Sequence, residues 1–168
     1  MRIANLLAST TLCACLGVSL QAAAQAPASK PLRKDPILTR HAEGTFDVKT
    51  TPLPADDQTG AGRYALDKQF HGDLEATSKG LMLGAGDPAK GAAGYVAMER
   101  VTGALHGHTG SFSLQHMGTM DQGKFQLTVI VAPGSGSGEL TGITGTMTIV
   151  NTAGKHSYTF EYTLPAAP

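Results

Sequence analysis

Cysteine is almost missing from this 168-residue chain. Only Cys13 and Cys15 occur, both in the apolar N-terminal stretch, so the remainder can form neither a disulfide nor a thiolate nucleophile. Roughly 140 residues remain after that stretch, which is long enough to bury a hydrophobic core. Stability must therefore come from burial and backbone pairing.

An excess of charge of either sign is missing as well. The 13 Lys and Arg residues balance the 13 Asp and Glu residues, which gives a formal net charge of zero. Because binding to phosphate groups needs a clustered cationic surface, we expect neither nucleic acid nor an anionic membrane as a partner.

The chain has no hydrophobic run of the kind that spans a bilayer. Its longest apolar stretch, 3–20, is interrupted by Asn5, Ser9 and Ser19 among others. A spanning helix needs about 20 strongly apolar residues, so we expect no membrane span; an N-terminal anchor is the alternative.

This N-terminal stretch has the layout of a secretory signal peptide, with Arg2 before it and small residues after it. We assign 1–24 to a signal peptide cleaved after Ala24 or Ala26, and expect a secreted or periplasmic protein. A lipoprotein through Cys15 is disfavoured because apolar sequence continues beyond that cysteine.

Helical periodicity is missing from the rest of the chain. Segment 25–40 contains three prolines and no period, which is typical of a disordered linker. Beyond it, apolar and polar residues alternate between glycine-rich breaks, and this predicts an all-β domain over 41–165. We expect strands at 41–50, 62–71, 73–83, 93–106, 109–121, 124–132, 139–151 and 155–164.

About eight antiparallel strands with short turns favour a closed barrel, because closure removes exposed strand edges. An internal repeat supports this prediction. Segments 103–114 and 138–149 share the pattern Gly-x-Leu-x-Gly-x-x-Gly followed by alternating apolar residues. Glycines at these positions let one strand bend into the next at a barrel corner.

Five segments of the chain are recognisable: His41–Val48, Lys68–Glu75, Glu99–Gly103, Gly110–His116 and Phe160–Leu164. They resemble the bacterial family called domain of unknown function 3224. The resemblance extends from His41 to Pro165 and implies no established activity.

That family in turn resembles the allene oxide cyclase and dirigent barrels of plants, whose glycine-rich element is similar to Gly136–Gly142 here. The resemblance implies an eight-stranded antiparallel barrel with a central cavity, often assembled into dimers or trimers. A shared fold does not transfer a function, so the activity has to be argued from the site itself.

Three ionisable residues share the phase of the large apolar residues on their strands and are therefore predicted to face the barrel interior: Lys68, Glu99 and His116. A buried charge is costly unless it is paired or lines a wet pocket. The candidate ligand-binding residues are these three together with the inward-phase aromatic residues Tyr64, Phe70, Tyr95 and Phe112.

The functional interpretation makes Glu99 and His116 candidate catalytic residues that move protons on a small ligand, while Tyr95 and Lys68 orient its polar end. The structural interpretation is an ion pair between Lys68 and Glu99 that sets strand register, or a phase wrongly assigned at a β-bulge. The sequence leaves both open.

Other chemistries find less support. His106 and His108 have a spacing suited to a shared metal ion, but no third ligand is evident, so we expect no metal and no other cofactor. Segment 134–138 has the letters of a serine-hydrolase motif without its strand and helix context. Val96, Met98 and Ile130, on outer faces, would suit a subunit contact.

The sequence thus predicts an exported barrel that binds a small, largely apolar molecule in its lumen. Two alternatives remain. One is an isomerase or cyclase resembling allene oxide cyclase, and the other is a non-catalytic oligomeric envelope or interaction protein.

Overall fold

Antiparallel strands make up most of the chain. The computed structural model describes residues 38–55 and 57–165, and within these ranges it has no α-helix, only a 3-10 turn at Pro88–Lys90. The strands are β1 Thr39–Leu53, β2 Gly62–Gly72, β3 Leu74–Asp87, β4 Ala92–Leu105, β5 His108–Asp121, β6 Lys124–Val131, β7 Ser137–Gly138, β8 Thr144–Thr152 and β9 Lys155–Thr163.

Eight of these strands close into a barrel in the order β1-β2-β3-β4-β5-β6-β8-β9, with β1 also paired to β9. Strand β7 adds a ladder of two residue pairs along β5. The predicted all-β, eight-stranded antiparallel barrel is confirmed. The signal-peptide prediction over 1–24 and most of the predicted linker lie outside the described residues, although Thr39 and Arg40 belong to β1.

The predicted strand 139–151 is wrong in its first part. Strand β8 begins only at Thr144, because Gly138 and Gly142 adopt positive φ values of 62° and 79° that interrupt an extended chain. The turn between them places Leu140 and Ile143 in the core, where both are 1% exposed.

One end of the barrel is filled with large side chains, and we call it the closed end. The turn that carries Leu140 covers this end, and the ring of Phe112 stacks on that of Phe160 with centroids 5.7 Å apart. Its fully buried residues are Phe70, Leu74, Leu105, Phe112, Leu140, Ile143, Phe160 and Tyr162.

The opposite end has glycines at several inward positions between larger side chains, and we call it the open end. Gly62, Gly84 and Gly118 occupy inward positions near the ends of β2, β3 and β5. At Gly118 a Cβ atom would lie 2.2 Å from the ring of Tyr95, so the missing side chain makes room for that ring.

Backbone pairing around the barrel is shortest between β6 and β8. Strands β6 and β8 share one residue pair, Ile130 with Thr146. Continuing that register would pair Thr128 with Thr148, but the ladder does not extend to them. Backbone pairing between the two strands is therefore limited to this position.

Candidate functional site

The three ionisable residues predicted to face inward meet halfway along the barrel. The Lys68 Nζ atom donates a hydrogen bond of 2.8 Å to Glu99 Oε1. The His116 Nε2 atom lies 3.0 Å from the same oxygen. Each of these residues is at most 6% exposed, so the structure places one buried cluster at this level of the barrel.

Strand register brings the cluster together and adds a fourth member. Lys68 pairs with Ser78 across β2 and β3, and the Ser78 hydroxyl donates to Glu99 Oε2 over 2.8 Å. The sequence analysis missed Ser78, although it shares the phase of the buried residues Leu74 and Ala76. The signal was therefore present in the alternation of β3.

Glu99 is ionised at neutral pH. Burial alone would raise the pKa of its carboxyl group, but the hydrogen bond from His116 and the charge of Lys68 outweigh burial and lower that pKa to about 2. A group with this pKa exchanges protons poorly near neutral pH. Glu99 is better suited to orienting Lys68 and His116 than to acting as an acid or base.

The ionised carboxylate also determines the tautomer of His116. Because an ionised carboxylate can only accept hydrogen bonds, the Nε2 atom must carry the proton and donate to Glu99. The Nδ1 atom makes no hydrogen bond to any described residue. No fully buried polar side-chain atom in the described ranges lacks a partner, so Nδ1 retains contact with the cavity space.

A cavity of about 370 Å³, which we call the inner cavity, lies against this cluster on its open-end side. Lys68 and His116 line it, whereas Glu99 lies behind them with a fully buried side chain. The ammonium group of Lys68 also lies 4.9 Å from the ring centroid of Phe46, a favourable cation–π distance. The other lining residues are Leu66, Met82, Tyr95, Phe125, Leu127, Ile149, Asn151 and His156.

A second cavity of about 460 Å³, which we call the outer cavity, adjoins the inner cavity at the mouth of the barrel. Both are lined by Met82, Tyr95 and Phe125. The Tyr95 and Phe125 rings stack nearly parallel with centroids 6.4 Å apart. Burial raises the pKa of Tyr95, and the charge of Glu99 raises it further, so its hydroxyl stays protonated.

The other predicted ligand-binding residues divide between the two regions. Tyr64 lines the outer cavity. Phe70 and Phe112 are fully buried and line neither cavity, because both belong to the closed end. Phe46 and Phe125, which the sequence analysis did not select, do line the inner cavity.

His106, one of the two histidines considered for a metal, contacts Tyr162 and Asp73 instead. His106 Nδ1 lies 2.8 Å from the Tyr162 hydroxyl, and its Nε2 atom lies 3.5 Å from Asp73. The described part of the chain contains no group of three or more His, Cys, Asp or Glu residues arranged to hold a metal ion.

Within the described residues, no helix has the length and apolarity needed to cross a bilayer.

Comparisons with known proteins agree with this architecture. A family model described as "Protein of unknown function (DUF3224)" matches residues 42–162. The crystal structure of a protein of unknown function from the DUF3224 family of Shewanella oneidensis MR-1 is 48% identical, with a TM-score of 0.72. The match covers 77% of this chain and 100% of that one. Among curated proteins, none matches.

Proposed function

This chain belongs to the DUF3224 family, and we propose that it binds a small, largely apolar molecule in the lumen of the barrel. The observation that carries the proposal is the inner cavity, whose walls are mainly apolar and whose floor is the buried cluster of Lys68 and His116.

The size of the cavity supports this function. Its volume of about 370 Å³ lies within the range of small-molecule sites. That space corresponds to roughly a dozen water molecules, and hence to a ligand of similar heavy-atom number. Apolar walls with a few convergent polar groups are typical of sites that bind such ligands.

The placement of the charged residues supports it too. A buried ion pair is often no more stabilising than apolar residues of the same volume, so its presence is weak support for a purely structural role. Lys68 and His116 lie at the boundary of the cavity, where they can contact a ligand.

Binding can be tested with a neutral fluorescent probe, N-phenylnaphthylamine, added to the purified barrel. We expect saturable binding that Ile149→Trp weakens, because Ile149 lines the cavity and an indole there would occupy part of it. The matched control is Val150→Trp, since Val150 is 52% exposed and absent from the cavity lining. Equal probe binding by both variants would contradict the proposal.

A second proposal concerns self-association, which an apolar patch on the outer face favours. Across β3, β4 and β5, Leu83 pairs with Val96 and Val96 with Met117, while Leu81 pairs with Met98. These five residues are between 36% and 57% exposed. The patch is uncharged, so a second copy could cover it with the same residues about a two-fold axis.

Sedimentation measurements test this second proposal. We expect a dimer that Met98→Glu converts to a monomer, whereas Thr102→Glu, on the same face of β4 but outside the patch, leaves the dimer intact. A wild-type protein that stays monomeric at high concentration would overturn it.

We also propose that the barrel acts after export, which the layout of residues 1–24 supports. Expression in a bacterial host followed by mass spectrometry of the periplasmic fraction tests this. A mature chain beginning at Gln25 or Pro27 is expected, and an intact Met1 in the cytoplasmic fraction would contradict it.

A further inference from the structure

We infer that the ligand is a monocarboxylate with an apolar body, and that its carboxylate lies between Lys68 and His116 while His116 takes up a proton. This inference rests on the proposed function, because it names the chemical class of the ligand that the inner cavity binds.

The groups that line the inner cavity select against a cationic ligand. Among the described residues, no Asp or Glu side chain lines it. Lys68 contributes a cation there, whereas Glu99, the nearest carboxylate, has 0% of its side chain exposed. A ligand with an amine head would meet a like charge and no counter-charge.

The hydrogen-bond donors at the floor of the inner cavity suit a ligand group that accepts hydrogen bonds. An ammonium group has three N–H donors, and Lys68 makes one hydrogen bond, to Glu99. His116 presents its Nδ1 edge to the same space and becomes a donor there once the ring is protonated. The rim groups Asn151 and His156 hydrogen-bond each other over 3.0 Å.

Charge balance gives the inference its second part. With a neutral imidazole, Lys68 and Glu99 cancel, so a bound carboxylate would leave an uncompensated negative charge in a buried site. A proton on His116 restores neutrality, because two cations then face two anions. The titratable and charged groups around His116 are Lys68 on β2, Tyr95 and Glu99 on β4, and His156 on β9.

The head group can be tested by calorimetry with three ligands that share one apolar body: phenylbutanoate, its primary amide and phenylbutylamine. We expect the carboxylate to bind roughly 10- to 100-fold more tightly than the amide, the effect of one charge-assisted hydrogen bond. The amine should bind most weakly.

Proton uptake is measured by repeating the titration in buffers of different ionisation enthalpy. We expect close to one proton per carboxylate bound, none for the amide, and a carboxylate affinity that falls as the pH rises from about 5 to about 8. His116→Gln should abolish the uptake while retaining amide binding. The matched control His71→Gln, which replaces a half-exposed histidine outside the cavity lining, should retain the uptake.

The outcomes separate the two proposals. If the carboxylate, amide and amine ligands bind with equal affinity while N-phenylnaphthylamine still binds, the carboxylate inference is overturned. The proposal that the lumen binds a small molecule then stands. Absence of binding by the neutral probe overturns the proposed function itself. If His116→Gln does not fold, a carboxylate affinity of wild-type protein that is independent of pH still overturns the inference.

Discussion

The two ends of the barrel are built on the same strands and differ in the size of the residues that face inward. Strand β2 has Phe70 toward the closed end and Gly62 toward the open end. Likewise, β5 has Phe112 toward the closed end and Gly118 toward the open end. Large side chains fill the lumen at the closed end, whereas glycines placed among Tyr95 and Phe125 leave cavities at the open end.

The buried polar cluster lies at the boundary between these regions. Phe70 lies beneath Lys68, with its ring centroid 5.8 Å from the ammonium group, whereas Leu66 on the other side lines the cavity. The cluster therefore ends the hydrophobic core and begins the cavity. This position explains why Lys68 and His116 are buried and also line the cavity.

The largest expected contrast between the ends is in the cost of removing an aromatic ring. Phe112→Ala should lower the free energy of unfolding by about 3–5 kcal/mol, because Phe112 is completely buried at the closed end. Phe125→Ala should cost less than about 1 kcal/mol, since Phe125 is 52% exposed at the open end, but should weaken probe binding. Urea denaturation measures both, and equal losses would contradict the division into two regions.

Substitutions in the cluster should show how strongly the stability of the barrel depends on pairing its buried charges. Glu99→Gln should destabilise the barrel by about 3–5 kcal/mol, because it leaves the charge of Lys68 buried without a counter-charge. Replacing both partners, Lys68→Met with Glu99→Leu, should recover part of that loss and abolish carboxylate binding. It removes the buried charge but leaves Ser78 and His116 without their acceptor. A double variant as unstable as the single one would contradict this account.

The pH dependence of the free energy of unfolding should reveal the carboxylate of Glu99. Its pKa is about 2 in the folded protein and 4.5 ordinarily, so its contribution is present above about pH 4.5 and is lost as the pH falls toward 2. The lowered pKa corresponds to on the order of 3 kcal/mol. Urea denaturation over this range should show that loss in the wild type but not in the double variant, and identical profiles would refute it.

A smaller contrast is expected between two glycines that face inward on β3. At Gly80 a Cβ atom would lie 2.6 Å from the Cβ atom of Glu99, so Gly80→Ala should cost about 1–3 kcal/mol. At Gly84 the nearest atom is 3.6 Å away, in the open end, and Gly84→Ala should be nearly neutral. Thermal unfolding compares them, and a neutral Gly80→Ala would show that Glu99 can shift.

Most of the strand pattern was predictable from sequence, because alternation acts over neighbouring residues. The predicted inward phase of Lys68, Glu99 and His116 agrees with their burial. The predictions that failed depend on contacts between residues far apart in the sequence. Leu140 was assigned to a strand because its segment alternates, yet it lies in a turn that covers the closed end.

By itself, the sequence determined that this domain is a barrel of alternating strands and which side of each strand is buried, since side-chain direction follows from a local period of two. Only the tertiary structure decided which inward residues share a level. The pairing of Gly80 with Glu99 and of Ala97 with His116 depends on register between strands, which is a non-local property. Register also decides which large and small inward residues meet at the same end of the barrel.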